Sequence, residues 1–187
     1  GIAAIQISKI LDTEIFGTAS ASKHDFLKTQ GVHHCIDYRN RNFETEVLKL
    51  TRGAGIDVIL DPVGGASFSR SYRCLAQGGK LILYGFSAAA TGPRRRLLAT
   101  AWQWVRSPSF SPFDLMMSNK GVIGLHLGRM TEQKELLAMA MRQLLVWWAQ
   151  CKIEPVVGAT FPLEFASRAH EFISSRQNIG KVVLTTP

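Results

Sequence analysis

No stretch of this chain reaches eighteen consecutive apolar residues, so no helix spanning a bilayer is expected. Cysteine is scarce: Cys35, Cys74 and Cys151 are odd in number, widely spaced and form no CxxC pair. That excludes a disulfide framework and a zinc ribbon and points to a reducing, cytoplasmic setting. No zinc-finger spacing and no aromatic RNA-binding signature occurs, so no nucleic-acid partner is expected. No internal repeat or low-complexity tract is visible. There is no initiator Met either: the chain opens "GIAAIQISK", with Gly1 alone in front of a helical pattern and no capping side chain.

What is present is apolar enough for a core, 46% hydrophobic over 187 residues, and basic, with a net charge of +8. Such an excess suits phosphorylated small molecules, anionic surfaces or a solvated exterior. Short apolar runs alternate with helical patterns. "EIFGTA", "HHCIDY", "IDVILD" and "KLILYG" read as strands. "SKHDFLKTQG", "NFETEVLKLT" (Phe43, Val47, Leu48 and Leu50 near one face) and "GASFSRSYRCLAQGG" read as the helices between them. This alternation predicts a doubly wound parallel α/β sheet. In that fold the first helix opens on the last glycine of a glycine-rich turn. Gly1 suits that place, and the strand and earlier glycines before it are then absent from the chain.

Farther on, "SAAATGPRRRLLATAWQWVRSPSFSPF" reads as a long loop around a helix with Leu97, Leu98, Ala101 and Trp104 inward. "GVIGLHL" reads as a buried strand. "TEQKELLAMAMRQLLVWWAQ" reads as a long helix with a core stripe of Leu137, Met141, Leu144 and Trp148. "IEPVVGATFP" is strand-like, "LEFASRAHEFISSR" a helix with Phe165, Ala169 and Phe172 on one face, and "GKVVLT" a last strand.

Chemistry is expected at the carboxyl ends of the strands, where open parallel sheets bind ligands. In a dinucleotide fold, an acid at the end of the second strand selects NAD by binding the ribose 2′-hydroxyl, whereas a basic residue admits the 2′-phosphate of NADP. Here "FGTASASK" has no acid from Phe16 to Ser22. Ser20, Ser22 and Lys23 suit a phosphate at a helix start; the alternative is a Ser cap and a surface Lys. Tyr38 suits a flat ring, with Arg39 beside it. Gly64 and Gly65 in "DPVGG" allow close approach of backbone to a ligand, and Gly85 in "LYGFS" lies at the same edge.

"GIAAIQISK", "GTASASKH", "IDYR", "DPVGG" and "LYGFS", in this order, resemble the nucleotide-binding domain of zinc-independent medium-chain dehydrogenase/reductases of the quinone oxidoreductase type. "TASASKH", "TGPRR" and "GLHLG" are similar to the branch named after a synaptic-vesicle membrane protein, and "NIGKVVLTTP" resembles the strand that returns to the catalytic domain. The resemblance implies a Rossmann domain over residues 1–149, lacking its first strand, and the C-terminal piece of a GroES-like catalytic domain over 150–187. It implies NADP(H) as cofactor, held by Gly1 at the pyrophosphate, and by Ser22, Lys23 and Tyr38 around the 2′-phosphate and adenosine. Gly64 and Gly65 would lie by the adenosine ribose. Tyr84, Gly85, Phe86 and Ser87, with Leu125, His126 and Leu127, would lie on the nicotinamide side, and Arg176 at a basic C-terminal position. His126, taken by itself, also reads as a packing or solvent-facing residue.

No metal ligand is expected and no catalytic residue is assigned, since the substrate-side residues belong to the missing N-terminal domain. The implied activity is an NADPH-dependent reduction of a quinone or another activated C=C bond, by an enzyme of which this chain alone is inactive. The alternatives are an enone or acyl-thioester reductase, and a noncatalytic NADPH-binding or interaction protein. The basic, Trp-bearing "PRRRLLATAWQWVR" is compatible with peripheral membrane contact or with a homodimer contact.

Overall fold

The computed structural model describes residues 1–87 and 105–186. Arg94–Arg96 and the inward helix expected at Leu97, Leu98, Ala101 and Trp104 lie outside the described residues. The chain forms two compact units: Gly1–Asn40 with Glu132–Pro187, and Arg41–Thr131.

The first unit begins with α1 (Ile2–Ile10), introduced by Gly1 without a side-chain cap; the Ile5 N–H donates to the Gly1 carbonyl at 3.1 Å. Strand β1 (Phe16–Ala19) pairs in parallel with β2 (His34–Asp37), in register from Phe16↔His34 to Ala19↔Asp37. A 3₁₀ turn (Ala21–Lys23) and α2 (His24–Thr29) connect them. Ile5, Ile15 and Val32 close a small core, with Leu27 and Cys35 packed on it. Gln6 of α1 treats residue 154 as a strand partner would. Its amide donates to the Glu154 carbonyl at 2.9 Å and accepts from the Glu154 N–H at 3.1 Å.

The unit resumes with a long helix, Lys134–Ala149, followed by strand Val157–Pro162, helix Ala166–Ser174 and strand Lys181–Thr185. The two strands pair in parallel, with a register shift between Val157 and Ala159. The rings of Phe161 and Phe172 meet at 6.0 Å between centroids.

The second unit begins with α3 (Phe43–Leu50), capped by Asn42, whose side chain accepts from the Glu44 N–H at 3.1 Å. Strand β3 (Ile56–Asp61), α4 (Ala66–Arg73), β4 (Leu75–Leu83), α5 (Pro112–Ser118) and β5 (Gly121–Gly124) come next. The sheet runs β3-β4-β5, parallel throughout. Leu81, on the central strand, has no exposed surface, and Val47, Phe68, Cys74 and Leu75 complete the buried set. Burial pushes the Cys74 thiol up to about 11, so it packs as a small hydrophobe. In chain order the remaining elements are α6 (Lys134–Ala149), β6 (Val157–Pro162), α7 (Ala166–Ser174) and β7 (Lys181–Thr185).

The pairings match the expected sheet. A doubly wound order 3-2-1-4-5-6 with its first strand left out reads 3-2 and 4-5-6; the observed sets are β2-β1 and β3-β4-β5. Each set is parallel throughout.

Several local expectations are corrected. The helix expected to run to the glycine pair at Gly78-Gly79 stops at Arg73, and Leu75 already pairs with Ile56. The reason is a bulge in the β3–β4 ladder: Gly78 takes φ +81, and a Cβ on Gly79 would sit 2.8 Å from the Ile56 carbonyl. On α3, Leu50 turns outward while Val47 is buried. On α6 the more buried line is Leu137, Leu144 and Trp147, whereas Met141 and Trp148 are more than half exposed. Spacing alone does not distinguish neighbouring lines on a helix that is apolar around much of its circumference. On α7, Ala169 is the buried position and Phe165 is exposed, with the Arg168 guanidinium over its ring at 5.0 Å. Strand β5 ends at Gly124, and Leu127–Arg129 form a 3₁₀ turn.

Candidate functional site

In the first unit the parallel pairing of β1 and β2 sets their carboxyl ends side by side, since Ala19 is in register with Asp37. The turns leaving the two strands therefore meet at one edge. Ser20 is buried, and its hydroxyl lies 3.2 Å from that of Ser22. Lys23 closes the 3₁₀ turn and is half-buried. Its ammonium donates to the Asn178 carbonyl at 2.7 Å, a contact 155 residues away in sequence. Asn178 is itself tied down by donation to the Gly180 carbonyl at 3.3 Å. An ammonium has three N–H donors, so Lys23 is oriented by one and keeps two for a ligand.

Tyr38 comes directly after β2 and is 41% exposed. Burial pushes its phenol up, but hydrogen bonding with the Arg39 and Arg176 guanidinium groups, helped by their charges, holds it below the ordinary tyrosine value. Arg176 thus belongs to the same cluster as Tyr38. It adopts φ +58 just past the end of α7, a left-handed conformation that glycine usually takes. Asp37, at the end of β2, turns its carboxylate into its own turn. It accepts from the Arg39 N–H at 3.0 Å and from the Asn40 amide at 2.7 Å, and the Arg39 backbone bond holds its pKa below the ordinary value. The edge is a cationic surface with an aromatic face, suited to a phosphate beside a flat ring. Gly1, the remaining expected residue of this unit, caps α1.

In the second unit the carboxyl ends of β3, β4 and β5 hold three segments. Gly64 and Gly65 take φ +88 and +59, and a Cβ on Gly64 would run into the Phe86 ring. A Cβ on Gly85 would sit 2.8 Å from the Pro62 carbonyl oxygen. Only glycine permits this approach of the two turns. Tyr84 is 41% exposed; burial, with the Asp61 charge, pushes its phenol up. Ser87 donates its N–H to the Pro62 carbonyl at 3.0 Å. Leu125 extends the ladder by donating to the Leu83 carbonyl at 2.8 Å, and Leu125, His126 and Leu127 are all exposed. The second unit thus brings together Gly64, Gly65, Tyr84, Gly85, Phe86, Ser87, Leu125, His126 and Leu127 at one sheet edge. Elsewhere in this unit a cavity of about 170 Å³ lies between α4 and α5, and no residue of this edge lines it.

Sequence reasoning did not single out two participants. Asn178 enters through its backbone carbonyl, which leaves no signal in a side-chain pattern. Asp61 does leave one: an acid closing the apolar run "IDVIL" and followed by Pro62 is a buried carboxylate in need of donors.

Residues 30–184 match the family model described as zinc-binding dehydrogenase. The chain belongs to this family. Its medium-chain dehydrogenase/reductase members are oxidoreductases that use nicotinamide cofactors, and the synaptic-vesicle branch is among its relatives. The Danio rerio "Synaptic vesicle membrane protein VAT-1 homolog" is 40% identical over 187 residues, covering 100% of this chain and 38% of that protein. The crystal structure of the human VAT-1 homolog-like protein superposes with a TM-score of 0.76 at 28% identity, covering 100% of this chain and 51% of that one. The structure of mycobacterial Rv1454c complexed with NADPH gives a TM-score of 0.78 at 26% identity, covering 98% of this chain and 53% of that one. The chain therefore spans about half the length of its structural neighbours, and less of the zebrafish relative. Despite the family's description, the described residues bring together no three His, Cys, Asp or Glu side chains able to hold a metal. No described helix is long and apolar enough to cross a membrane.

Proposed function

We propose that this chain is the cofactor-binding portion of an NADPH-dependent reductase that transfers a hydride to a quinone or another activated C=C bond. The observation that supports the reading most is the cationic edge at the end of β1 and β2. Lys23 closes the turn after β1 and Arg39 and Arg176 stand beside Tyr38 after β2, while the segment after β1, where an NAD-selecting site would carry a carboxylate, holds none. Rv1454c, a structural neighbour, is described in complex with NADPH. When bound, the nicotinamide supplies the hydride, and the protein's part is position, exclusion of water and electrostatics.

In this reading Lys23, Arg39 and Arg176 neutralise the 2′-phosphate, with Ser22 donating a further hydrogen bond. Tyr38 lies against the adenine, and Gly1 leaves room at the pyrophosphate. Gly64 and Gly65 admit the adenosine ribose, while Tyr84–Ser87 and Leu125–Leu127 flank the nicotinamide. Residues 1–149 act as the nucleotide-binding domain and 150–187 as part of a substrate domain. The substrate is a small molecule, the setting is cytoplasmic, and a homodimer is the expected assembly. By itself this chain, which spans only part of its relatives, has little or no turnover.

An enone or acyl-thioester reductase, or a noncatalytic NADPH-binding protein, would share each of these cofactor features. The test is a steady-state assay of the gene's full product with NADPH or NADH against panels of quinones and enones, with this chain assayed beside it. Faster NADPH oxidation with a quinone, and little with the chain alone, is expected. Binding of NADPH with no turnover on any acceptor would favour the noncatalytic role.

A further inference from the structure

Asp61 is 3% exposed at the carboxyl end of β3, yet its carboxylate is fully engaged. One oxygen accepts from the Val63 N–H at 2.8 Å and the Gly64 N–H at 3.4 Å. The other accepts from the Ser67 hydroxyl at 2.8 Å and the Ser71 hydroxyl at 2.7 Å. The serines stand one turn apart on α4, so they present one face of that helix to Asp61. A single side chain thereby fixes both the loop and the helix after it.

The backbone around it fixes the neighbouring turn. The Asp61 carbonyl accepts from the Tyr84 N–H at 3.3 Å, and the Pro62 carbonyl accepts from the Ser87 N–H at 3.0 Å. With Gly64 against Phe86 and Gly85 against Pro62, the 62–65 and 84–87 turns fit in one arrangement. Nothing else buried and charged anchors them among the described residues.

We propose that Asp61 is a positioning residue for a nicotinamide dinucleotide. It touches no ligand; it holds the Val63–Gly65 loop, and with it the Tyr84–Ser87 turn, in the arrangement that receives the adenosine ribose and the nicotinamide. This rests on the nucleotide reading above. It has a chemical signature. A carboxamide in place of the acid can still accept from the loop N–H groups through its oxygen, while its NH₂ donates to hydroxyl oxygens that turn to accept. A methyl group at the same place leaves the loop N–H groups without an acceptor in a buried site.

The test is a titration of the full chain, its Asp61→Ala variant and its Asp61→Asn variant with two probes, NADPH and adenosine 2′,5′-bisphosphate. The second probe carries the phosphate, the adenine and the adenosine ribose but no nicotinamide half, so it meets the Val63–Gly65 loop and not the Tyr84–Ser87 turn. Asp61→Ala is expected to weaken NADPH by on the order of tenfold and the bisphosphate by clearly less, about threefold. Asp61→Asn is expected to recover most of the NADPH affinity. If Asp61→Ala does not fold, the Ser67→Ala/Ser71→Ala double variant carries the same test, with smaller losses that are again larger for NADPH. Unchanged NADPH binding by a folded variant, or equal loss of both probes, would overturn the proposal. Failure of the unaltered chain to bind either probe would overturn the nucleotide reading itself, and this inference with it.

Discussion

Replacing Lys23 by Ala removes an ammonium that is already oriented. One of its three donors is committed to the Asn178 carbonyl at 2.7 Å, and two remain for an incoming phosphate. A hydrogen bond to a charged partner contributes about 1.5–3 kcal/mol. With about 1.4 kcal/mol per factor of ten, that corresponds to roughly tenfold to a hundredfold in affinity. The lower end is expected, because Arg39 and Arg176 stay beside Tyr38 and still attract the phosphate. NADH carries no 2′-phosphate, so its affinity should hardly change. The same substitution should also cost the free protein about 1 kcal/mol, since the Asn178 carbonyl loses its charged donor. That would lower the melting temperature by about 2–4 °C for a chain of this size. The assay is calorimetric titration of both nucleotides at fixed salt, with thermal melts of the free proteins. Equal losses for NADH and NADPH would show Lys23 to be a structural tie to Asn178 only, and the phosphate assignment would be abandoned.

Other consequences arise from the same geometry. Cys151 and Arg176 both hold left-handed backbone just past a helix, at φ +54 and +58. Glycine at either relieves a strain of about 0.5–1 kcal/mol; Cys151→Gly should raise thermal stability with nucleotide binding unchanged, whereas Arg176→Gly should weaken NADPH selectively, as titration and melting would show. Glu44 takes a two-pronged contact from Arg73, at 2.5 and 2.8 Å, and this contact holds its carboxyl below the ordinary carboxylate value despite partial burial. A depressed pKa contributes stability that is full above the unfolded value, near about 4.3, and is lost as pH falls through the folded one. Unfolding midpoints measured down to acid pH should therefore fall less steeply for Glu44→Gln than for the parent.

Much of this was legible in the residues. Alternating apolar runs and helical stretches gave the parallel α/β pattern, and "FGTA", "HCID" and "LILYG" placed the strand ends where the polar and glycine residues meet. Non-local features were not legible. Lys23 finds its partner at Asn178, and Tyr38 finds Arg176, through tertiary folding across the length of the first unit. The early start of β4 at Leu75 was hidden because "RCLAQGG" suits a helix end as well as a bulged strand, and only pairing with Ile56 decides between them. On α6, apolar residues surround the helix, so periodicity named Leu137 and Leu144 correctly but Trp148 in place of its neighbour Trp147, and Met141, which is exposed.

The central claim is that this chain carries an NADP(H)-selective nucleotide site, and direct titration of NADPH and NADH into the unaltered protein, at one moderate salt concentration, tests it most plainly. Saturable binding of NADPH, at least about tenfold tighter than NADH and competed by adenosine 2′,5′-bisphosphate, is the predicted result. Equal affinity for the two nucleotides, or no saturable binding of either, would contradict it.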